Sequence, residues 1–362
     1  MAWLADQGCQ MTETTERPLV TFAVIAYNQE RFIREAIEGA FAQTYQPLEI
    51  ILSDDCSPDR TYQIMQEMAA AYDGPHTVVL NRNEPNLGLV PHIDRVMELV
   101  SGEFIVVNAG DDVSVPERTE RLAGVWLASG RKAKMVHSAA RRIDNVGRSL
   151  DIKHPPQGIL HTPSPLAIIR DRLFVIGATA AWDRTVYDSF GPLGAGLATE
   201  DRVLPFRAAI LGEIAYLDEP LIGWRTGGVS EGHDQMNGWN FLYGIWHRGR
   251  KWALTIDQHI LDCYKDTNYP DKTTIETVCR NRIPRLNLAI ELAESSRLTR
   301  LGMGLRALRL SFAQRSAEPL KYWIYYVFDW LYMPYASWKS ARRSQSEKNR
   351  QSGSDEKYYE HS

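Results

Sequence analysis

The chain has 362 residues, 44% of them hydrophobic and 24% charged, enough for one large buried core or two modest ones and inconsistent with wholesale disorder. A formal net charge of −4 gives no global attraction to nucleic acid, and no nucleic-acid partner is expected. Four scattered cysteines (Cys9, Cys56, Cys263, Cys279) contain no Cys-x-x-Cys pair, which argues against a structural zinc site or a secreted disulfide scaffold and fits a reducing, cytoplasmic setting.

Residues 1–17 are polar, lack a basic leader with an apolar core, and are expected to be disordered. Val20 to Ala26 then reads as a β-strand. A helix follows, with apolar residues at Phe32, Ile33, Ala36, Ile37, Ala40 and Phe41, Asn28 as N-cap and Glu30 in its first turn. Leu48 to Ser53 predicts a second strand, and Ser57 with Pro58 predicts the start of a helix running to about Tyr72. A third strand (His76 to Leu80), a polar loop (Asn81 to Gly88), a third helix (Leu89 to Val100) and a fourth strand (Glu103 to Val107) complete the series. Regular alternation of strand and helix predicts an α/β, mostly parallel sheet covered by helices on both faces.

Functional residues of such sheets gather on loops beyond the carboxyl ends of the strands. Three of those loops carry unusual polar groups: Tyr27-Asn28, Asp54-Asp55 and Asp111-Asp112. Adjacent aspartates repel, so the last pair, on a glycine turn, calls for a cation or a polar ligand. The first strand–helix turn, Ala26 to Glu30, has no glycine, and no Walker A sequence is present. Gly302-Met303-Gly304-Leu305-Arg306-Ala307 matches a shortened dinucleotide fingerprint, but inside a helical pattern with no preceding strand. Phosphate would therefore be bound mainly through a metal on Asp111 and Asp112, while Tyr27 stacks on a base and Asp55 accepts a hydrogen bond from the base or a ribose hydroxyl.

The ordered series Ala23-Val24-Ile25-Ala26-Tyr27-Asn28, Ile51 to Asp59, Asn86-Leu87-Gly88 and Gly110-Asp111-Asp112 resembles the family 2 glycosyltransferases of GT-A (Rossmann-like) fold. Thr199-Glu200-Asp201 resembles that family's Glu-Asp motif. Tyr216 to Leu221, with Trp224-Arg225, resembles the strand and arginine that follow it, so the resemblance runs from about Pro18 to Ser230. It implies an inverting transferase that moves a sugar from a nucleotide-diphosphate sugar, UDP- or dTDP-linked, to a hydroxyl of a glycan or lipid-linked acceptor in cell-surface polysaccharide or glycolipid synthesis. Its implied donor-binding residues are Tyr27, Asn28, Glu30, Asp54, Asp55, Asn86, Gly88, Asp111 and Arg225, the last either touching phosphate or fixing a loop. A Mg or Mn ion would sit on Asp112 first and Asp111 second, with His233 as a further candidate. Asp201 is the implied base and Glu200 the alternative. Many members carry one more aspartate where this chain has Ala109, so metal binding rests on the pair. The competing expectation is a catalytically silent donor-binding or scaffold member, against which Asp55, Asp112 and Asp201 together argue, since a scaffold needs no base.

The sequence divides into a GT-A domain (18–231), a helical aromatic and basic region (232–338) and a disordered polar tail (339–362). In the second of these, Trp239, Phe241, Tyr243, Trp246 and Trp252 interleave with His247, Arg248, Arg250 and Lys251 as an aromatic-basic surface or a core stripe. Leu298, Leu301, Leu305, Leu308 and Phe312 mark one helical face accompanied by five arginines, and an interfacial aromatic run, Tyr322 to Met333, follows. Residues 297–338 are thus expected either to dock on the inner membrane face or to pack against the chain itself or a second copy. His137 has no partner that the sequence identifies.

Overall fold

The computed structural model describes residues 17–160, 162–194, 196–197, 199–226, 243 and 246–329. Strands β1 (Val20–Ala26), β2 (Leu48–Asp54), β3 (Thr77–Arg82) and β4 (Phe104–Ala109) alternate with helices α1 (Ile33–Phe41), α2 (Thr61–Ala70) and α3 (Leu89–Met97). After them come β5 (Val113–Ser114), α4 (Arg118–Ala128), β6 (Ala133–Ile143), β7 (Ser149–Lys153), α5 (Pro165–Asp171), β8 (Ala180–Asp183), α6 (Thr185–Asp188), α7 (Val203–Leu211) and β9 (Glu213–Arg225). The strands form one sheet in the order β3-β2-β1-β4-β8-β6-β9-β5, with β7 paired to β6.

The first four strands are parallel, and their register aligns the loops that matter. Ala26 pairs with Asp54 and Ile25 with Ala109, so Tyr27, Asp55 and Gly110 leave the sheet side by side. Beyond β4 the sheet becomes mixed: β8 runs against both β4 and β6, whereas β9 is parallel to β6. Strand alternation sorts the apolar residues into two cores. Ala23, Ile51 and Ile105 face one, with Ile93 and Phe206; Phe22, Val24 and Ile50 face the other, with Ile33, Ile37, Leu122 and Trp126.

Two helix starts differ from expectation. Asn28 does not cap α1; it lies in the left-handed region at φ 57°, and a turn at Gln29 precedes the helix. Likewise α2 begins at Thr61 rather than Pro58, because Asp59 Oδ1 accepts from both the Thr61 amide (3.0 Å) and its hydroxyl (2.5 Å).

The C-terminal helices are α8 (Trp246–Cys263), α9 (Lys272–Glu294), α10 (Arg297–Gly302), α11 (Gly304–Ala313) and α12 (Glu318–Val327). Ile256 and Ile260 of α8, Tyr264 just after it, and Ile275 and Cys279 of α9 join the same core as Ile168, Ile169 and Phe206, so these two helices complete the α/β layer. A separate small core gathers Leu288, Leu292, Ala307 and Tyr326. No helix among the described residues is long and apolar enough to cross a membrane. His233, Trp239, Phe241, the Gly227-Gly228 segment, the end of the aromatic run and both polar termini lie outside the described residues.

Candidate active site

The loops after β1 and β2 are stitched together almost residue by residue. Asn28 N–H donates to Ser57 Oγ (2.8 Å), Gln29 N–H to Thr61 Oγ1 (2.8 Å) and Glu30 N–H to Asp59 Oδ2 (2.9 Å), while Glu30 Oε2 accepts from Arg60 N–H (3.0 Å). Glu30 is therefore an exposed loop tie. Tyr27, 41% exposed, projects from this rigid turn with its ring open to a ligand.

Asp54 and Asp55 are both buried, for different ends. Asp54 Oδ2 accepts from Ser57 N–H (3.0 Å) and lies 3.4 Å from Arg82 Nε. Asp55 organises the loop after β3: Oδ1 accepts from Asn83 Nδ2 (2.8 Å) and Leu87 N–H (2.9 Å), and Oδ2 from Gly88 N–H (2.8 Å). Asn86 donates its amide to Asp55 O (2.7 Å), so the Asn-Leu-Gly segment wraps the aspartate. Asn83 is also tied inward through Asn81 and Ser53 to buried His92, whose burial lowers its pKa below the usual imidazole value.

At the end of β4 the turn is closely packed. A Cβ on Gly110 would lie 2.6 Å from Ala26 Cβ and would collide with Gln29 Oε1, so only glycine lets the turn meet the β1 loop. Asn108, buried at the strand end, donates to Asp112 O (3.0 Å) and accepts from Ser114 Oγ (2.8 Å) and Arg118 (3.0 Å). Asp112 points inward: it is 2% exposed, and Oδ1 accepts from Arg225 N–H (2.8 Å). Burial, with the charge of Asp111 beside it, pushes the Asp112 carboxyl up to about 8. Asp111 is half-buried. The order expected from sequence, Asp112 ahead of Asp111 as cation ligand, is thus reversed in accessibility.

Arg225 is tied into the chain on every side. Its buried guanidinium donates to Asp111 O (2.8 Å), Asp144 O (2.9 Å) and Glu35 Oε2 (2.8 Å), and lies 4.5 Å over the Phe32 ring. All three of its nitrogens are engaged by the chain's own acceptors, which pins the aspartate turn to α1.

Glu200 and Asp201 lie at the turn that begins α7. Gly177, in a short 3-10 turn (Gly177–Thr179), lies against them: a Cβ there would sit 2.6 Å from Asp201 Oδ1 and 2.7 Å from Glu200 Oε1. The two carboxyls hydrogen-bond each other, and Glu200 Oε2 is buried without a partner among the described residues. Burial first, and then the neighbouring Glu200 charge, raises Asp201 well above the usual carboxylate range.

One side chain joins the two halves. Fully buried Arg118 donates to Asn108 Oδ1 (3.0 Å), Ser114 Oγ (2.8 Å) and Val107 O (2.8 Å) at the β4 end, and to Ala178 O (2.7 Å) in the turn that abuts Asp201. Nothing in the sequence singles out Arg118, one arginine among many at a helix start. Asn108 and Gly177 were missed for the same reason: their roles are contacts across the fold. His137 proves to be buried beside Tyr216, ring centroids 5.2 Å apart, and burial lowers its pKa to about 4, which leaves it neutral.

Residues 21–189 match the glycosyl transferase family 2 profile. This part of the chain is a family 2 glycosyltransferase domain. Curated relatives include an uncharacterized protein of Mycobacterium tuberculosis (29% identical over 224 residues, 62% of this chain and 59% of that one) and EpsE of Bacillus subtilis, named as a proposed glycosyltransferase (35% over 130 residues, 36% and 46%). The chain thus spans about half the length of the curated relatives it matches. Among solved structures, residues 1–349 of S. aureus TarS (TM-score 0.53, 17% identity, 86% of this chain and 90% of that one) share the fold. So does the mannosyltransferase PcManGT of Pyrobaculum calidifontis in complex with GDP-Man and Mn2+ (TM-score 0.50, 19% identity, 88% of each). The GT-A α/β architecture expected from the motifs is the one observed.

Proposed function

We propose that this family 2 domain is an inverting glycosyltransferase that moves a sugar from a nucleotide-diphosphate sugar to an acceptor hydroxyl in surface glycan or glycolipid synthesis. The observation that carries the reading is that buried Arg118 ties the strand end that leads to Asp111-Asp112 to the turn against which Glu200 and Asp201 pack. Tyr27 offers its exposed ring to the base, and the Asp55-bound loop forms the wall beside it. The fold neighbours support a nucleotide-linked donor: TarS has been seen with UDP, and PcManGT with GDP-Man.

Asp111 is the accessible carboxylate for a divalent ion, with Asp112 behind it held by Arg225. Among the described residues no group of three His, Cys, Asp or Glu side chains could hold a metal alone. Two carboxylates whose mutual repulsion a cation would relieve do fit a Mg- or Mn-type ion that takes its remaining ligands from phosphates and water. Such an ion supplies stabilisation of charge on the departing diphosphate. In the displacement itself the acceptor oxygen bonds to the anomeric carbon, the bond from that carbon to the diphosphate oxygen breaks, and Asp201 receives the hydroxyl proton. A scaffold would have no use for that half-buried, proton-avid carboxylate.

Thermal melting with UDP-, dTDP- and GDP-linked sugars, with and without Mg2+ or Mn2+, tests donor and metal together. One nucleotide class is expected to stabilise the chain only when metal is present, and Asp111→Asn to abolish that increment. Equal stabilisation in EDTA would count against the metal.

The same reading places the enzyme at the membrane face where a lipid-linked acceptor lies. Instead of one basic helix, the region folds as α10 and α11 broken at Gly302–Gly304, and Arg300 is buried against Asp329. The apolar stripe is nonetheless exposed, with Leu298 at 82% and Phe312 at 77%, and residues 295–317 hold five arginines and no carboxylate. That combination suits an anionic lipid surface. The full chain is expected to float with anionic but not neutral liposomes, and Leu298→Ser with Phe312→Ser to stay at the bottom of the gradient. Flotation indifferent to those changes would remove the membrane assignment.

A further inference from the structure

A second cavity, of about 480 Å3, opens between the α/β layer and the C-terminal helices. Arg172, at the end of α5, and Arg202, the residue after Asp201, line it from one side; Arg250, Lys321, Tyr322 and Tyr325 line it from the other. The cations here outnumber their partners. Glu318, also on the wall, pairs with Arg285, and Asp257, which does not line this cavity, pairs with Arg282. Arg250 is used in bonding Tyr326 and stacking over Tyr322. Arg172 and Arg202 make no ion pair with any described residue. Burial lowers the Arg202 pKa, and the charges of Arg172 and Arg282 lower it further, a mutual repulsion that the carboxylates of Asp201 and Asp257 offset only in part.

We infer that this cavity is the acceptor site, and that it takes an acceptor bearing a phosphate-type ester. Bidentate guanidinium donors from Arg172 and Arg202 match phosphate geometry, an anion there would relieve their repulsion, and Tyr322 and Tyr325 give flat faces for sugar rings. The position fits the chemistry. Asp201 packs against Gly177, while Arg202, whose α-carbon lies about 3.8 Å away, lines the cavity. An acceptor held by its anionic group at Arg202 therefore approaches the base with a neighbouring hydroxyl. The inference rests on the transferase reading above and narrows its acceptor to an anionic one.

The test uses the full chain and two probes, inorganic phosphate and glycerol 1-phosphate, at constant ionic strength with chloride as reference. Melting temperature is expected to rise saturably with both, the ester acting at several-fold lower concentration. Arg172→Glu with Lys321→Glu, both at exposed side chains, should raise the half-saturating ester concentration at least tenfold while circular dichroism stays that of the wild type. Arg202→Gln gives a second, charge-removing variant at the position nearest the base. Shifts no larger than those in chloride, equal shifts in wild type and variants, or a preference for free phosphate over the ester would each overturn the inference. Nucleoside diphosphate release is followed on the same samples. Ester binding in a chain without any donor turnover would overturn the acceptor role together with the transferase reading, whereas turnover without ester binding overturns the cavity's role alone.

Discussion

Asp201→Asn is expected to lower transfer by about 10²- to 10⁴-fold, the usual worth of a positioned general base, while donor affinity changes little. The same substitution should raise the melting temperature. Asp201 holds its proton more tightly in the folded chain than an ordinary carboxyl does, because it is buried and faces the Glu200 charge. A carboxyl whose folded pKa is raised takes up more protons folded than unfolded. Stability from this source is therefore full on the acid side and lost as pH rises from the ordinary carboxylate range through the raised value. At neutral pH the ionised form is strained, and an uncharged amide removes that strain; a gain of about 0.5–2 kcal/mol is the scale for relieving such a site. Since a base works only when deprotonated, the acid limb of the wild-type pH–rate profile should lie above the usual carboxylate range. A limb near pH 4, or an asparagine variant that melts lower, would assign the pair a merely structural role.

Arg118→Met is the second substitution with a large expected effect, and it acts on both stability and rate. The guanidinium is fully buried, and burial lowers its pKa to about 9, yet it satisfies two side-chain and two backbone acceptors. Methionine keeps much of the volume and leaves Val107 O and Ala178 O without this donor, at a cost of about 3 kcal/mol. Urea unfolding should show that loss in the midpoint without a change of slope. Because Arg118 ties the β4 end to the turn against which Asp201 packs, kcat should fall more than donor affinity. Wild-type kcat in a destabilised Arg118→Met would mean that the two halves of the site keep their register without it.

How much of this was legible in the sequence follows from the range of each interaction. β1 to β4 were readable to within two residues at each end, because an apolar run bounded by turns is a local signal. The loops carrying Tyr27, Asp55 and Asp111 could be placed on one edge of the sheet from strand–helix alternation alone. The helix starts were not, since Asn28 and Ser57 are used to join two loops to each other, a contact across 29 residues that competes with capping. The inward turn of Asp112 depends on a bond to Arg225 across 113 residues. Arg118 serves as a bridge only because β8 returns beside β4. The break between α10 and α11 was hidden because glycine in an otherwise helical, arginine-rich pattern lowers helix propensity without fixing where the chain bends.

The most direct test of the central claim is release of nucleoside diphosphate from a nucleotide sugar by the full chain, measured at saturating donor with metal present, for wild type and Asp201→Asn side by side. Metal-dependent release is expected from the wild type, with a loss of at least about a hundredfold in the variant at equal donor occupancy. Equal rates in the two proteins would remove Asp201 as the base.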